Sequence, residues 1–267
     1  MEILQAIILG IIEGLTEFLP ISSTGHLIVA EEVINYHDSA KIFAVVIQLG
    51  AIAAVIWNYR SDLLNKCRGL LTGDKQIINF WICWALATIP AGLAGFLLRD
   101  EISVYAVAST VGVALIIGGG LIWIIETYHQ TAKSPHGSPK LDKITRKQAF
   151  LIGLYQMLAV IPGVSRSGAT IMGGLLSGLD RVSSAAFSFY LSIPILLLAG
   201  GYQLSKGESG VETVPGGMGA LVAGTVAAFI TALLVIRWLL AYVSKHDFKV
   251  FAYYRIILGI IILLVIT

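Results

Sequence analysis

The residues able to do chemistry gather in two stretches, EGLTEFLPISSTGHL from Glu13 to Leu27 and PGVSRSGAT from Pro162 to Thr170. In the first, Glu13 and Glu17 are four positions apart, so on a helix they share a face and repel. Among aliphatic neighbours such a pair needs a divalent cation, Arg166 or protonation of one partner. Mg2+ and Ca2+ take oxygen ligands and bridge carboxylates to phosphates, so metal plus phosphate is the economical reading, with Glu13 and Glu17 as ligands; a proton path is the alternative. Zinc fits poorly, because His26 is the one nearby nitrogen ligand.

In the second stretch Arg166 offers a planar, permanently charged fork for two phosphate oxygens. Ser165, Ser167 and Thr170 surround it, and Gly163 and Gly168 let backbone N–H groups approach an anion. A structural pairing of Arg166 with a buried glutamate is the alternative. Ser22, Ser23 and Thr24 follow Pro20, a composition suited to a turn or to the start of the next helix, and at a helix start the positive end of the dipole favours an anion. His26 lies three residues past Ser23, within reach for proton exchange with a nucleophile or leaving group. A lone histidine beside serines is more often structural; two acids, three hydroxyls and a facing arginine make a catalytic assignment the better one here.

These groups must be held by membrane-embedded elements. Of 267 residues, 57% are hydrophobic and 13% charged, against about 45–50% and about 25% in soluble domains. Apolar runs recur at Phe43 to Trp57, Ile78 to Leu98, Val104 to Ile125, Ala185 to Leu204, Gly217 to Leu240 and Val250 to Ile266. Most approach the ~20 residues a spanning helix needs. No basic region or small-residue cleavage site opens the chain, so the first segment is expected to stay in the mature protein. Cys67 and Cys83 read as packing residues, too few and scattered for a metal cluster or disulfide framework.

Two further segments, 3–29 and 149–179, are apolar but broken by Pro, Gly and hydroxyl residues. A shift of 143 positions lays Gln5, Ala6, Gly10, Leu15, Ser22, Gly25 and Ile28 on Gln148, Ala149, Gly153, Leu158, Ser165, Gly168 and Ile171, and Glu13 on Gln156. The chain therefore reads as a first repeat over 1–125, a polar connector over 126–147 and a second repeat over 148–267. Lysine and arginine collect in cytoplasmic loops. The Arg60 to Lys75 loop and the connector are basic, whereas the Arg99 to Glu101 turn and the Lys206 to Glu212 loop are not. That pattern closes only if segments 3–29 and 149–179 each enter the membrane and return on the same side. The expected fold is an all-α polytopic membrane protein of two inverted repeats, each with one re-entrant hairpin and three transmembrane helices, both termini outside. The hairpin tips then face each other near the midplane. Gln48 is a lesser phosphate-binding candidate or interhelical glue, and Arg255 is expected to contact a headgroup or snorkel.

Together EGLTEFLPISSTGH and PGVSRSGAT resemble the paired signatures of the undecaprenyl-pyrophosphate phosphatases, a bacterial membrane family linked to bacitracin resistance. The resemblance extends through FAVVIQLGAIAAV, AAFSFYLSIP and FAYYRIILG, and so along essentially the whole chain. It implies hydrolysis of undecaprenyl pyrophosphate to undecaprenyl phosphate in the inner membrane, recycling the lipid carrier for cell-wall synthesis. On the family pattern Glu13 and Glu17 fall on the acidic motif, Ser23 and His26 on its serine and histidine, and Arg166 on the second motif's arginine. Ser23 is then the candidate nucleophile assisted by Glu17 or His26; attack by His26 or by metal-activated water stays open. Expected partners are the pyrophosphate lipid and the bilayer, not nucleic acid; oligomeric state is open, a homodimer among the options. The rival reading is a transporter or flippase of a phosphate-bearing lipid, which uses the same charges for binding alone.

Overall fold

The computed structural model describes residues 1–36, 42–105, 107–128, 139–205 and 214–266. Residues 129–138 of the connector and the whole Lys206 to Glu212 loop lie outside the described residues. Within them the regular structure is helical: α1 (Glu2–Thr16), α2 (Ser23–Ile34), α3 (Ile42–Asn58), α4 (Arg60–Leu71), α5 (Lys75–Ser103), α6 (Ala108–Tyr128), α7 (Arg146–Met157), α8 (Arg166–Leu176), α9 (Arg181–Ser205), α10 (Gly217–Val243) and α11 (Lys249–Val265), with short 3-10 turns at Leu141–Lys143 and Leu158–Val160.

The apolar runs become helices close to their expected limits. In α5, α6, α9 and α10 the helix is long and apolar enough to cross a membrane, and α3 with α4, bent by 70°, makes a fifth span if the pair is taken as one. The chain is a multi-pass membrane protein. Two local expectations differ. Arg60 to Leu71 is helix α4 rather than open loop, because Asp62 sits in its first turn and pairs with Lys66 one turn on (3.3 Å). Arg99 to Glu101 continues α5 instead of turning, no glycine or proline intervening before Ser103. Of the cysteines only Cys83 is buried; Cys67 is exposed, so it does not pack in the core.

Segments 3–29 and 149–179 each fold as helix, break, helix. Helix α7 starts at a capping box, in which Thr145 Oγ1 accepts from Gln148 N (3.3 Å) and Gln148 Oε1 accepts from Thr145 N (2.9 Å). Both breaks contain a proline, Pro20 and Pro162, which cannot donate to a helical ladder. Each ends on a serine in the left-handed region, Ser22 at φ 71° and Ser165 at φ 73°. Non-glycine residues hold that conformation only where surrounding contacts enforce it.

Glycines set how closely the helices pack. A Cβ on Gly10 of α1 would sit 2.2 Å from the Gly224 carbonyl oxygen of α10, and one on Gly259 of α11 would sit 2.6 Å from the Gly112 oxygen of α6. Without a hydrophobic drive between helices in lipid, such close backbone approach is the means by which spans associate. The interior combines the apolar core around Phe18, Ile171, Phe189 and Ile236 with a serine face on α9, where Ser184, Ser188 and Ser192 are buried. Leucines, isoleucines and Trp238 stand exposed on the outer faces of α5, α6, α10 and α11, as lipid-facing positions must.

Candidate active site

The two breaks meet. Ser167 Oγ, in the first turn of α8 just past the second break, donates to the Leu19 carbonyl of the first at 2.7 Å. Beside this contact lies a cavity of about 260 Å³ lined by Glu17, Ser22, Ser23 and Thr24 from the first segment and by Gln156, Gly163, Ser165 and Arg166 from the second, with Gln48 of α3 and apolar residues of α5 and α9 completing the wall.

A short polar chain crosses it. Ser23, the first residue of α2, donates from Oγ to Glu17 Oε2 at 2.5 Å. Arg166, the first residue of α8, donates from Nη2 to Glu17 Oε1 at 3.1 Å and from Nη1 to the Ser188 carbonyl at 2.9 Å. The ion pair is nearly dry, with side-chain exposures of 9% for Arg166 and 6% for Glu17. Its Nε is buried without a hydrogen-bond partner, so the guanidinium retains a donor for an incoming anion. Ser23 and Arg166 also occupy equivalent places, each at an N-terminus where backbone N–H groups and the helix dipole favour negative charge.

The other predicted residues divide between lining and support. Ser22, Thr24, Ser165 and Gln48 line the cavity; Glu13, His26, Ser167 and Thr170 do not. Ser165 caps α8, its Oγ accepting from Gly168 N (3.1 Å) and meeting Ser167 Oγ at 3.0 Å. Thr170 Oγ1 lies 2.7 Å from Ser188 Oγ and its hydroxyl reaches the Arg166 carbonyl (2.9 Å), which joins α8 to α9. The His26 ring turns toward α11: Nδ1 donates to the Ser22 carbonyl at 2.8 Å, and Nε2 meets the Tyr254 hydroxyl at 2.7 Å. A carbonyl can only accept, which assigns the Nδ1 proton.

Glu13 lies one turn before Glu17 and interacts electrostatically with both Glu17 and Arg166. It is buried, and neither carboxylate oxygen has a hydrogen-bond partner. Gln156 has the same character: its Nε2 donates to the Ala87 carbonyl (3.0 Å), while its buried Oε1 is left without a donor. These unpartnered oxygens suit a hard, oxygen-seeking cation. Among the described residues no three His, Cys, Asp or Glu side chains come together as a metal cage; Glu13 and Glu17 are the carboxylates at this site that could hold a cation.

Two residues of this region escaped the sequence reading. Gln156 had a signal, since the repeat overlay laid it on Glu13. Arg255 was expected either to contact a headgroup or to snorkel; it is 1% exposed and donates to five backbone carbonyls. It does not snorkel, because those carbonyls, three of them in the breaks, stand in for water.

Residues 6–261 match the family model described as Bacitracin resistance protein BacA. An Undecaprenyl-diphosphatase of Methylobacillus flagellatus is 46% identical over 266 residues, covering 98% of this chain and 97% of that one. An Undecaprenyl-diphosphatase of Acinetobacter baumannii is 45% identical, with 98% and 95% covered. One from Nitrosomonas europaea is 46% identical, with 98% and 94% covered.

Proposed function

The chain belongs to the bacitracin resistance protein BacA family, and from that premise we propose that it is an integral membrane phosphatase hydrolysing undecaprenyl pyrophosphate to undecaprenyl phosphate and inorganic phosphate. The observation that carries the reading is the Ser23–Glu17–Arg166 chain, a hydroxyl on a carboxylate beside a guanidinium, at the starts of two helices lining one cavity.

The chemistry follows from these positions. Arg166 and the N-termini of α2 and α8 hold the distal phosphoryl group, since phosphoryl transfer depends on positioning and charge stabilisation. Ser23 Oγ attacks the distal phosphorus and gives its proton to Glu17, and the bridging P–O bond breaks to release undecaprenyl phosphate. Glu17 passes that proton to the departing undecaprenyl phosphate; water then attacks the phosphoserine, Glu17 taking one water proton and handing it to the Ser23 oxygen as the serine P–O bond breaks, which releases inorganic phosphate. Glu17 is favoured over His26 as proton acceptor because it touches Ser23 at 2.5 Å, whereas both ring nitrogens of His26 are occupied elsewhere. Glu13 and Glu17 are the residues that would hold Mg2+ or Ca2+, which when bound neutralises charge on the diphosphate.

The finer architecture we propose is two inverted repeats with re-entrant hairpins over 3–29 and 149–179 and both termini outside. It is supported by the brevity of α1, α2, α7 and α8, of 15, 12, 12 and 11 residues, each short of the ~20 needed to cross, and by the matched left-handed serines at both breaks. A homodimer is carried forward as a proposal whose test is the mass of the solubilised particle.

The deciding experiment is phosphate release from undecaprenyl pyrophosphate by purified protein in detergent, with and without chelator, for wild type, Ser23→Ala and Arg166→Ala. Chelator-sensitive release abolished by both substitutions in folded protein supports the reading. Wild-type protein that binds the lipid but releases no phosphate under any metal condition overturns it in favour of transport.

A further inference from the structure

Arg255 lies in the middle of α11, a helix that is otherwise apolar around it. Its Nη1 donates to the Pro20 and Val164 carbonyls, both at 3.0 Å, so one nitrogen bridges the two breaks. Nη2 donates to Gly163 of the second break (3.1 Å) and Ala114 of α6 (3.2 Å), and Nε reaches Leu115 of α6 at 3.4 Å. The backbone is cut to admit it: a Cβ on Gly118 would meet Nη2 at 2.2 Å, and one on Gly168 would meet Nη1 at 3.2 Å.

Burying a guanidinium in a membrane protein is costly, and α6 and α11 already pack through glycines. What the charge supplies is donors for break carbonyls that have no water at that depth. It also fixes orientation. The peptides are trans, so C=O and N–H point opposite ways, and anchoring the Val164 oxygen turns the Ser165 N–H, at the start of α8, away from Arg255. The neighbouring Tyr254 grips the first segment as well, through His26.

We propose that Arg255 is a positioning residue that locks the Ser23 and Arg166 helix starts in mutual register for phosphoryl transfer. It does not line the cavity and acts through the backbone of both breaks. The proposal rests on the phosphatase reading for its kinetic arm and on the backbone contacts for its structural arm.

The test compares wild type, Arg255→Lys and Gly118→Ala in detergent, following kcat and KM for undecaprenyl pyrophosphate and hydrogen exchange of residues 17–24 and 161–168. Lysine keeps the charge, but a single nitrogen cannot span all five carbonyls. Gly118→Ala keeps the arginine and pushes its guanidinium aside. A misplacement of this kind costs up to about 10²-fold, so both variants are expected to lower kcat by about tenfold or more with KM little changed. Exchange should rise in both breaks together while α6 and α11 stay protected. Wild-type kcat in both variants, exchange unchanged in the breaks, or exchange rising equally through α6 and α11, overturns the proposal. If wild type releases no phosphate, the phosphatase reading falls, and the exchange pattern alone still decides whether Arg255 locks the breaks.

Discussion

Replacing Arg166 by glutamine separates the stability of the site from its chemistry. In the wild type Glu17 accepts from Ser23 at 2.5 Å and from Arg166 at 3.1 Å, and both charged side chains are less than a tenth exposed. Removing one partner of a buried pair leaves an uncompensated charge and costs about 3–5 kcal/mol. Arg166→Gln should therefore sit at that level, at its lower end because the Ser23 hydroxyl remains on Glu17. Adding Glu17→Gln removes the orphaned charge, and the double variant should recover most of the loss, to within about 1 kcal/mol of wild type, since neutral hydrogen bonds contribute on that scale. Both variants should release phosphate at least about 10²-fold more slowly, the usual effect of removing one group that stabilises developing charge. Unfolding in detergent and phosphate release from the same preparations check this. A double variant no more stable than Arg166→Gln would refute the buried-pair account, and activity recovering along with stability would refute the roles given to both residues.

Glu13→Gln should raise the Mg2+ or Ca2+ concentration needed for half-maximal phosphate release while leaving the protein folded, as read from metal titrations after chelation; an unchanged requirement removes Glu13 from the cation site. Tyr254→Phe should lower kcat by less than about tenfold, because His26 keeps its 2.8 Å bond to the Ser22 carbonyl and the lost bond is a single neutral one. Arg181→Met should destabilise by about 3–5 kcal/mol with kcat intact in the folded fraction: Glu126, with a fully buried side chain, loses its 2.6 Å partner, and neither residue lines the cavity.

The polar, oxygen- and guanidinium-bearing makeup of the two signatures was legible because it lies in residue type. Serine, glycine and arginine clustered in an apolar chain have few other uses, and carboxylates four apart on a helix repel unless compensated. The helices were legible for the same reason, apolar length being a direct statement about solvent. Which candidates reach the cavity was not legible. Thr170 lies one turn past Arg166 on the same face of α8 and both reach Ser188 of α9, yet only the longer Arg166 extends to Glu17 at the cavity. His26 lies three residues past Ser23, and that spacing swings it toward Tyr254 of α11. Neither destination can be read locally, because each partner belongs to another helix, 18 residues away for Thr170 and 228 for His26.

Of the two expectations for Arg255, snorkelling failed for a related reason. A single arginine in a late apolar helix resembles a snorkelling residue by sequence context, and its partners are carbonyls, which carry no side-chain signal at all. Gln156 could have been found through its overlay on Glu13, a neutral oxygen donor standing where the other segment has a charged one. The sequence by itself thus determined the solvent the chain lives in, its helices, the broken segments and the chemistry of their tips, because hydropathy, proline and residue type act locally. Only the tertiary structure decided that Ser23 and Arg166 share one carboxylate, that His26 faces away from the cavity, and that one guanidinium ties both breaks together. Those outcomes depend on side chains and carbonyls 91 to 235 residues apart meeting at distances near 3 Å, which no local pattern encodes.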